Sequence, residues 1–473
     1  MLPGSLMIAL MIVFAPLAIG CAQEQAKQVQ DTQEQVKTVS DADKVSLWTR
    51  DGLDWPGFLG SKRDGTSEES GFRFDWSADP PSRVWDLRIG EGYGIGAISG
   101  GRYFHFDRHR DNARIRAVNV ETGKLLWEFT YPTDYKDTYG FDGGPRGSPV
   151  VDEDRVYIFG VEGMLHCLNA YSGEQIWDID TAERFGVIQN FFGVGSTPLI
   201  HEDKLIVMIG GSPPESQEIQ SGRLGEVKPN GNAIIAFNKL TGEVIYETID
   251  DLASYASPTI GEIDGQQVGL AFCRTSLFGF DPQTGAVQFE FPYRARKYES
   301  VNAATPLTID SNVLLTESYA LGGALLKVET PQQDKEDWSI NPVWQDEGTR
   351  DPSLACHWNT PVVVGDYVYA CSGESKANAT VNCVRLSDGK LMWSEPGLTR
   401  SSLTLVQDHL LCMTEEGRLL VIRPDSEKFD LVAEYPADQL SFVSPCWAAP
   451  IVAHGFVIVR GRAKVICLDA KQK

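Results

Sequence analysis

The chain has 473 residues, a length that one closed all-β architecture can bury as a single domain, so several domains are not required. With 10% aromatics, 45 glycines and only 23% charged residues, the composition excludes a disordered chain and describes one rich in strands and turns. A formal charge of -23 excludes a surface that attracts nucleic-acid phosphates or anionic lipid, so no nucleic-acid partner is expected and membrane contact is expected only through an N-terminal anchor.

Residues 1–21, MLPGSLMIALMIVFAPLAIGC, form an apolar run of signal-peptide length, and no later run is long enough to span a membrane. Export to a periplasm-facing location is the expectation. The stretch Leu17-Ala18-Ile19-Gly20-Cys21 resembles a bacterial lipobox, which implies lipidation of Cys21; it departs from that pattern in having Ala18 and no Lys or Arg before the apolar run. A plain signal peptide cut near Cys21 or Ala22, or an uncleaved anchor, stays open beside it. Residues 22–47 are so polar that they cannot bury enough surface to fold alone, and they read as a tether. Residues 48–81 read as an extension packing on the folded body that begins at residue 82.

From there the sequence repeats. AVNVETGKLLWEF at 117–129 returns as CLNAYSGEQIWDI (167–179), AFNKLTGEVIYET (236–248), GFDPQTGAVQFEF (279–291) and CVRLSDGKLMWSE (383–395). Each copy is a strand, a polar turn with a Gly able to take positive φ, and a second strand whose aromatic is placed to pack between neighbouring sheets. Those aromatics are Trp127, Trp177, Tyr246, Phe289 and Trp393, and their place on an outer hairpin makes them structural rather than a cofactor cage.

A second hairpin precedes each copy, as in SPVVDEDRVYIFG (148–160) and TPLIHEDKLIVMIG (197–210), with alternating apolar residues about a short turn. Joining the two gives four-stranded units beginning near Tyr93, Arg146, Gly195, Tyr255, Ala303, Trp358 and Arg400. A last unit at 446–470 has three strands, and SRVWDLRI at 82–89 has the pattern of the missing fourth. The expected fold is therefore an all-β, eight-bladed propeller over 82–473, its last blade closed by pairing of N- and C-terminal strands, which removes the free sheet edges. Two stretches, 211–231 and 330–341, interrupt the period and read as surface excursion loops.

The repeated Asp/Asn-x-x-x-Gly-x-x-x-Trp pattern resembles the tryptophan-docking repeat of the pyrroloquinoline-quinone-type (PQQ-type) β-propellers, over about 93–473. Trp55-Pro56-Gly57-Phe58-Leu59-Gly60 with Arg63-Asp64-Gly65 is similar to a leader found in exported members. That family includes quinoprotein alcohol dehydrogenases and BamB-like assembly lipoproteins, so the resemblance implies the fold strongly and an activity weakly. A quinoprotein would hold PQQ over Ca²⁺ with carboxylate and amide ligands, an Asp base and often a vicinal Cys-Cys pair. The sequence has no Cys-Cys, no CxxCH, no GxSxG, HExxH or P-loop, and only seven scattered histidines. No catalytic residue, metal site or cofactor is therefore expected, and PQQ with Ca²⁺ remains the alternative.

The cysteines sit at strand positions that suit small buried thiols; Cys167, Cys383 and Cys467 are equivalent, and a bridge between Cys371 and Cys383 is the one disulfide left open. The place for function is the central channel. The blades present Tyr93, Arg146, Gly195, Tyr255, Ala303, Trp358, Arg400 and Trp447 at one equivalent position, and six of these eight are aromatic or Arg. Rings and guanidinium forks are the material of binding hot spots. The ring either binds a ligand or plugs the channel, with Arg146 and Arg400 neutralising carboxylates; Tyr139, Phe141, Phe191, Phe192 and His357 add aromatic weight to the same face. The polar cluster Asp107-Arg108-His109-Arg110-Asp111 reads as a solvated hairpin loop. The function expected is that of an exported, non-catalytic scaffold engaging envelope proteins or an extended ligand; a quinoprotein oxidoreductase and a carbohydrate-binding propeller are the alternatives.

Overall fold

The computed structural model describes residues 45–187, 191–219, 221–298, 300–332 and 337–471, so the signal-peptide and Cys21 expectations, and the tether up to residue 44, lie outside the described residues. Eight sheets, each with four antiparallel strands and one of them extended by a short parallel strand at Thr66–Ser67, are arranged as the blades of a propeller. The innermost strands of blades 1 to 8 are Ala97–Ser99, Val150–Asp152, Leu199–His201, Thr259–Ile263, Leu307–Ile309, Val362–Val364, Ser401–Val406 and Ile451–Ala453. The middle strands are apolar on both faces, as Lys204–Met208 and Ser276–Phe280 illustrate, because each blade is sandwiched between two others.

Blade 8 is closed by the N-terminal strand Ser82–Arg88, which pairs antiparallel with Lys464–Asp469 and sets Trp85 opposite Cys467. The propeller is thus closed by its own chain ends.

All eight outermost strands carry a register irregularity at the same place, directly before the docking position. A bulge there re-aims the next side chain out of its own sheet. Trp127 consequently lies over the turn of blade 2, where its Nε1 donates to the Ala170 carbonyl at 3.0 Å and its ring covers Gly173, whose φ is 74°. Trp177 does the same to Lys239 and Gly242, and Tyr246 to Pro282 and Gly285. Trp85 and Trp344 complete the pattern on Val120 and Leu386. Phe289 has no polar handle and packs instead on Trp338, at 6.0 Å between ring centroids. Trp393 donates to the Asp425 carbonyl and meets Phe429 edge-on.

Blade 7 has Ala433 at the docking position, opposite Val421. Trp76, from the N-terminal extension, is fully buried in the same cluster as Ala433 and meets Tyr435 edge-on, so the extension supplies the aromatic that blade 7 lacks.

Two expectations are corrected. Asp107 is not in a solvated loop: the strand Arg102–His109 carries it into the core, where it is fully buried and binds Arg114 and Arg116. The described residues of the 211–231 interruption are loop and 3-10 turns, mostly exposed, held to the body by Val227, which is buried against Phe191 and Val301. The 330–341 stretch is only partly loop, because the outermost strand of blade 5 begins at Ser339. The thiols of Cys371 and Cys383 are free, and their partners across the sheet are Val381 and Tyr369 rather than each other.

Candidate functional site

Each innermost strand runs from one face of the propeller toward the other, so the residues just before it gather where the channel opens. There the structure brings together all eight: Tyr93, Arg146, Gly195, Tyr255, Ala303, Trp358, Arg400 and Trp447 line one cavity of about 250 Å³. Eightfold order sets Tyr255 of blade 4 across the axis from Trp447 of blade 8. Gly195 is dictated by Tyr255, because a Cβ there would lie 2.4 Å from the Tyr255 ring.

One wall is a row of rings. Tyr93 and Trp447 have centroids 4.7 Å apart, Trp447 and Trp358 4.4 Å, and Trp358 and His357 4.4 Å. All three contacts are tilted by 40–47°, a geometry suited to ring quadrupoles. The opposite wall is Tyr255, Phe192 and Phe141, which also touch in sequence. Phe192 donates its N–H to the Tyr255 hydroxyl at 2.7 Å. Phe141 is half exposed, and with Tyr139 it extends the aromatic surface outward from the pocket.

The two arginines are held from behind. Arg400 grips Glu415 through Nε (2.7 Å) and Nη2 (2.5 Å), and lies 4.6 Å and 5.1 Å from the Trp358 and Trp447 ring centroids. Arg146 binds Asp137 at 2.8 Å and the Gly144 carbonyl at 2.7 Å, 5.0 Å from the Tyr93 ring. Glu415 and Asp137 have side chains only 2% and 1% exposed, so each positive charge in the wall faces a buried negative one. His357 adds no charge: burial, then the Arg400 charge, pushes its pKa down to about 3, and its Nε2 lies 2.8 Å from the Tyr319 hydroxyl.

Sequence reasoning missed the floor. Segment 55–67 crosses the inner strands: Val151 donates to the Pro56 carbonyl, the Arg63 guanidinium donates to Pro198, and Thr66–Ser67 pairs parallel with Leu405–Val406. Phe58 and Leu59 thereby line the cavity from within the channel, Leu59 with a φ of 63°. The signal was present: an apolar Phe-Leu pair outside the repeat has no sheet of its own and must be buried elsewhere. Upstream, Leu47 donates to the Gly100 carbonyl and Trp48 stacks on His454 at 3.7 Å, both at turns on the face away from the mouth.

Arg460 was also missed, because nothing in the repeat marks it. It is buried in blade 8 and donates to the carbonyls of Gly92 and Gly94, bracing Tyr93 from both sides. Behind it, burial raises the Asp107 carboxyl, but hydrogen bonds from Arg114, the neighbouring charges and the Gly90 amide outweigh that and hold its pKa at about 2.

The residues do not fit PQQ seated over Ca²⁺. Such a site needs carboxylate oxygens free for the cation and cations free for the carboxylates of the cofactor, whereas both wall arginines are already paired with Asp137 and Glu415. Among the described residues no three His, Cys, Asp or Glu side chains converge as metal ligands.

Fold and repeat together define an eight-bladed propeller of PQQ-type repeats. The chain belongs to the family described as outer membrane protein assembly factor BamB, whose model matches residues 111–395. No curated protein matches the sequence. Among solved structures, quinohemoprotein alcohol dehydrogenase from Comamonas testosteroni superposes with a TM-score of 0.59 at 12% identity, over 96% of this chain and 85% of that one. BamB from Moraxella catarrhalis gives 0.50 at 13%, over 83% of this chain and 98% of that one. The computationally designed Ika8 protein gives 0.51 at 11%, over 82% and 98%. At these identities the likeness concerns the fold alone.

Proposed function

We propose that this chain is a non-catalytic binding propeller of the cell envelope, exported and held by an N-terminal anchor at Cys21, which engages an envelope protein through the mouth of its channel. The observation that carries the reading is the convergence of Tyr93, Tyr255, Trp358 and Trp447 on a pocket whose charged walls are internally paired. Such a surface offers contact area without groups poised for proton or electron transfer. Family membership adds support, since the matching family is described as an outer-membrane assembly factor. The quinoprotein alternative is disfavoured by the paired arginines.

The test is crosslinking in intact cells of the full chain against a Trp358→Ala/Trp447→Ala variant, followed by identification of the captured envelope proteins. A defined partner lost in the double variant is expected. Capture that is identical in both, or retention of PQQ by the purified protein in the presence of Ca²⁺, overturns the reading.

A further inference from the structure

The walls of the pocket restrict what enters it. An ion moved from water into a cavity of this kind loses hydration and must find a counter-charge or stay outside. Arg400 has both carboxylate oxygens of Glu415, Arg146 has Asp137, and the remaining walls carry no formal charge: the rings of Tyr93, Tyr255, Trp358 and Trp447 with Phe192 and Phe141, and between them neutral polar residues such as Ser257, Asn359 and Ser402. Neither an anion nor a cation gains an unpaired partner there. The guanidinium of Arg400 already lies against Trp358 and Trp447, so those rings have a cation on one side and the cavity to serve on another.

Size narrows the choice further. About 250 Å³ falls just short of the ~300–1,000 Å³ of drug-sized sites, and Phe58 and Leu59 add apolar surface to its lining. The tilted rows on either side of the axis leave a slot that matches a flat group in edge-to-face or offset contact.

We propose that the pocket takes one uncharged aromatic ring system of about two fused rings, seated between the Trp358–Trp447 row and Tyr255, with Phe58 and Leu59 as its floor. This rests on the channel mouth being the binding site of the propeller. The ring comes either from a free aromatic compound or from an aromatic side chain of the protein partner, and the chemistry is common to both.

Isothermal titration of the full-length protein with 2-naphthol and with 2-naphthoate at neutral pH tests it, with tryptophan fluorescence as the second readout. The neutral ring binds at least tenfold more tightly than the carboxylate, and Ala303→Phe, which fills the slot, weakens it at least tenfold; Ala448→Phe serves if the first variant does not fold. Indole and the neutral peptide acetyl-Gly-Trp-Gly-amide separate the two sources, since tighter binding of the peptide points to a partner side chain and tighter binding of indole to a free compound. Equal or tighter binding of 2-naphthoate, binding unaffected by a folded slot-filling variant, or no binding of any neutral ring at millimolar concentration overturns the inference. In the last case crosslinking that still depends on Trp358 and Trp447 leaves the scaffold reading intact and removes only the ligand class.

Discussion

The Arg400 guanidinium holds both oxygens of Glu415 while lying over Trp358, so one ion pair fixes the position of the ring and the neutrality of the wall together. Removing the carboxylate charge separates those roles. Glu415→Gln leaves the partly buried Arg400 cation without its partner, which costs about 2 kcal/mol, and it makes the pocket positive. The expected outcome is a lower urea midpoint with a relative gain of 2-naphthoate over 2-naphthol; a variant that keeps the wild-type preference contradicts the account of the wall.

The docking contacts give a graded series. Trp127→Ala removes a nearly buried indole between blades 1 and 2 and costs about 3–5 kcal/mol, whereas Trp127→Phe loses the bond to Ala170 and costs nearer ~1 kcal/mol. Gly173→Ala acts on the other partner of the contact, since its Cβ would come 2.5 Å from the Trp127 ring. Equilibrium unfolding of the three should rank Trp127→Phe as the mildest.

Trp76→Ala tests whether the extension is part of the propeller core. Its ring is fully buried beside Ala433 and Tyr435, so a loss of about 3 kcal/mol or more is expected. In the Trp76→Ala background Ala433→Trp should recover part of the loss, because the vacated space is the one a docking aromatic of blade 7 would occupy. Retained stability of Trp76→Ala would show that the extension merely rests on the surface.

Acid should act through two named groups. The folded pKa of Asp107 is about 2, below its unfolded value, so its contribution is present above pH 4 and is lost as pH falls toward 2. His357 is a base whose folded pKa of about 3 lies below its unfolded value, so the unfolded chain binds the extra proton and stability falls as pH drops from about 6.5 to 3. Thermal melts of His357→Gln should therefore show a shallower loss than wild type between pH 6 and 4. Those of Asp107→Asn should start lower, because Arg114 and Arg116 lose their shared carboxylate, and should flatten below pH 4.

Blade number, strand pairing and the convergence at the channel mouth were legible because each is a periodic property: the Gly turn, the docking aromatic and the residue before each inner strand recur at fixed spacing. What the period does not encode was not legible. Phe58 and Leu59 reach the axis from outside the repeat, Arg460 braces Tyr93 from the far end of the chain, and Trp76 replaces an aromatic that blade 7 lacks. Asp107 was misread for a related reason. A run of five polar residues looks like a turn, but blade 1 has middle strands of eight residues, so the run straddles the end of one and its first member points into the core. Trp344 escaped notice because the 330–341 interruption displaces it from the Gly turn that marks the other docking residues.

The contacts of Leu47 with Gly100 and of Trp48 with His454 fix where the polypeptide joins the disk: at its back, away from the aromatic pocket. Leu47 and Trp48 are thereby remote from the mouth, so substitutions there loosen the N-terminal segment from the blade turns without altering what the pocket recognises.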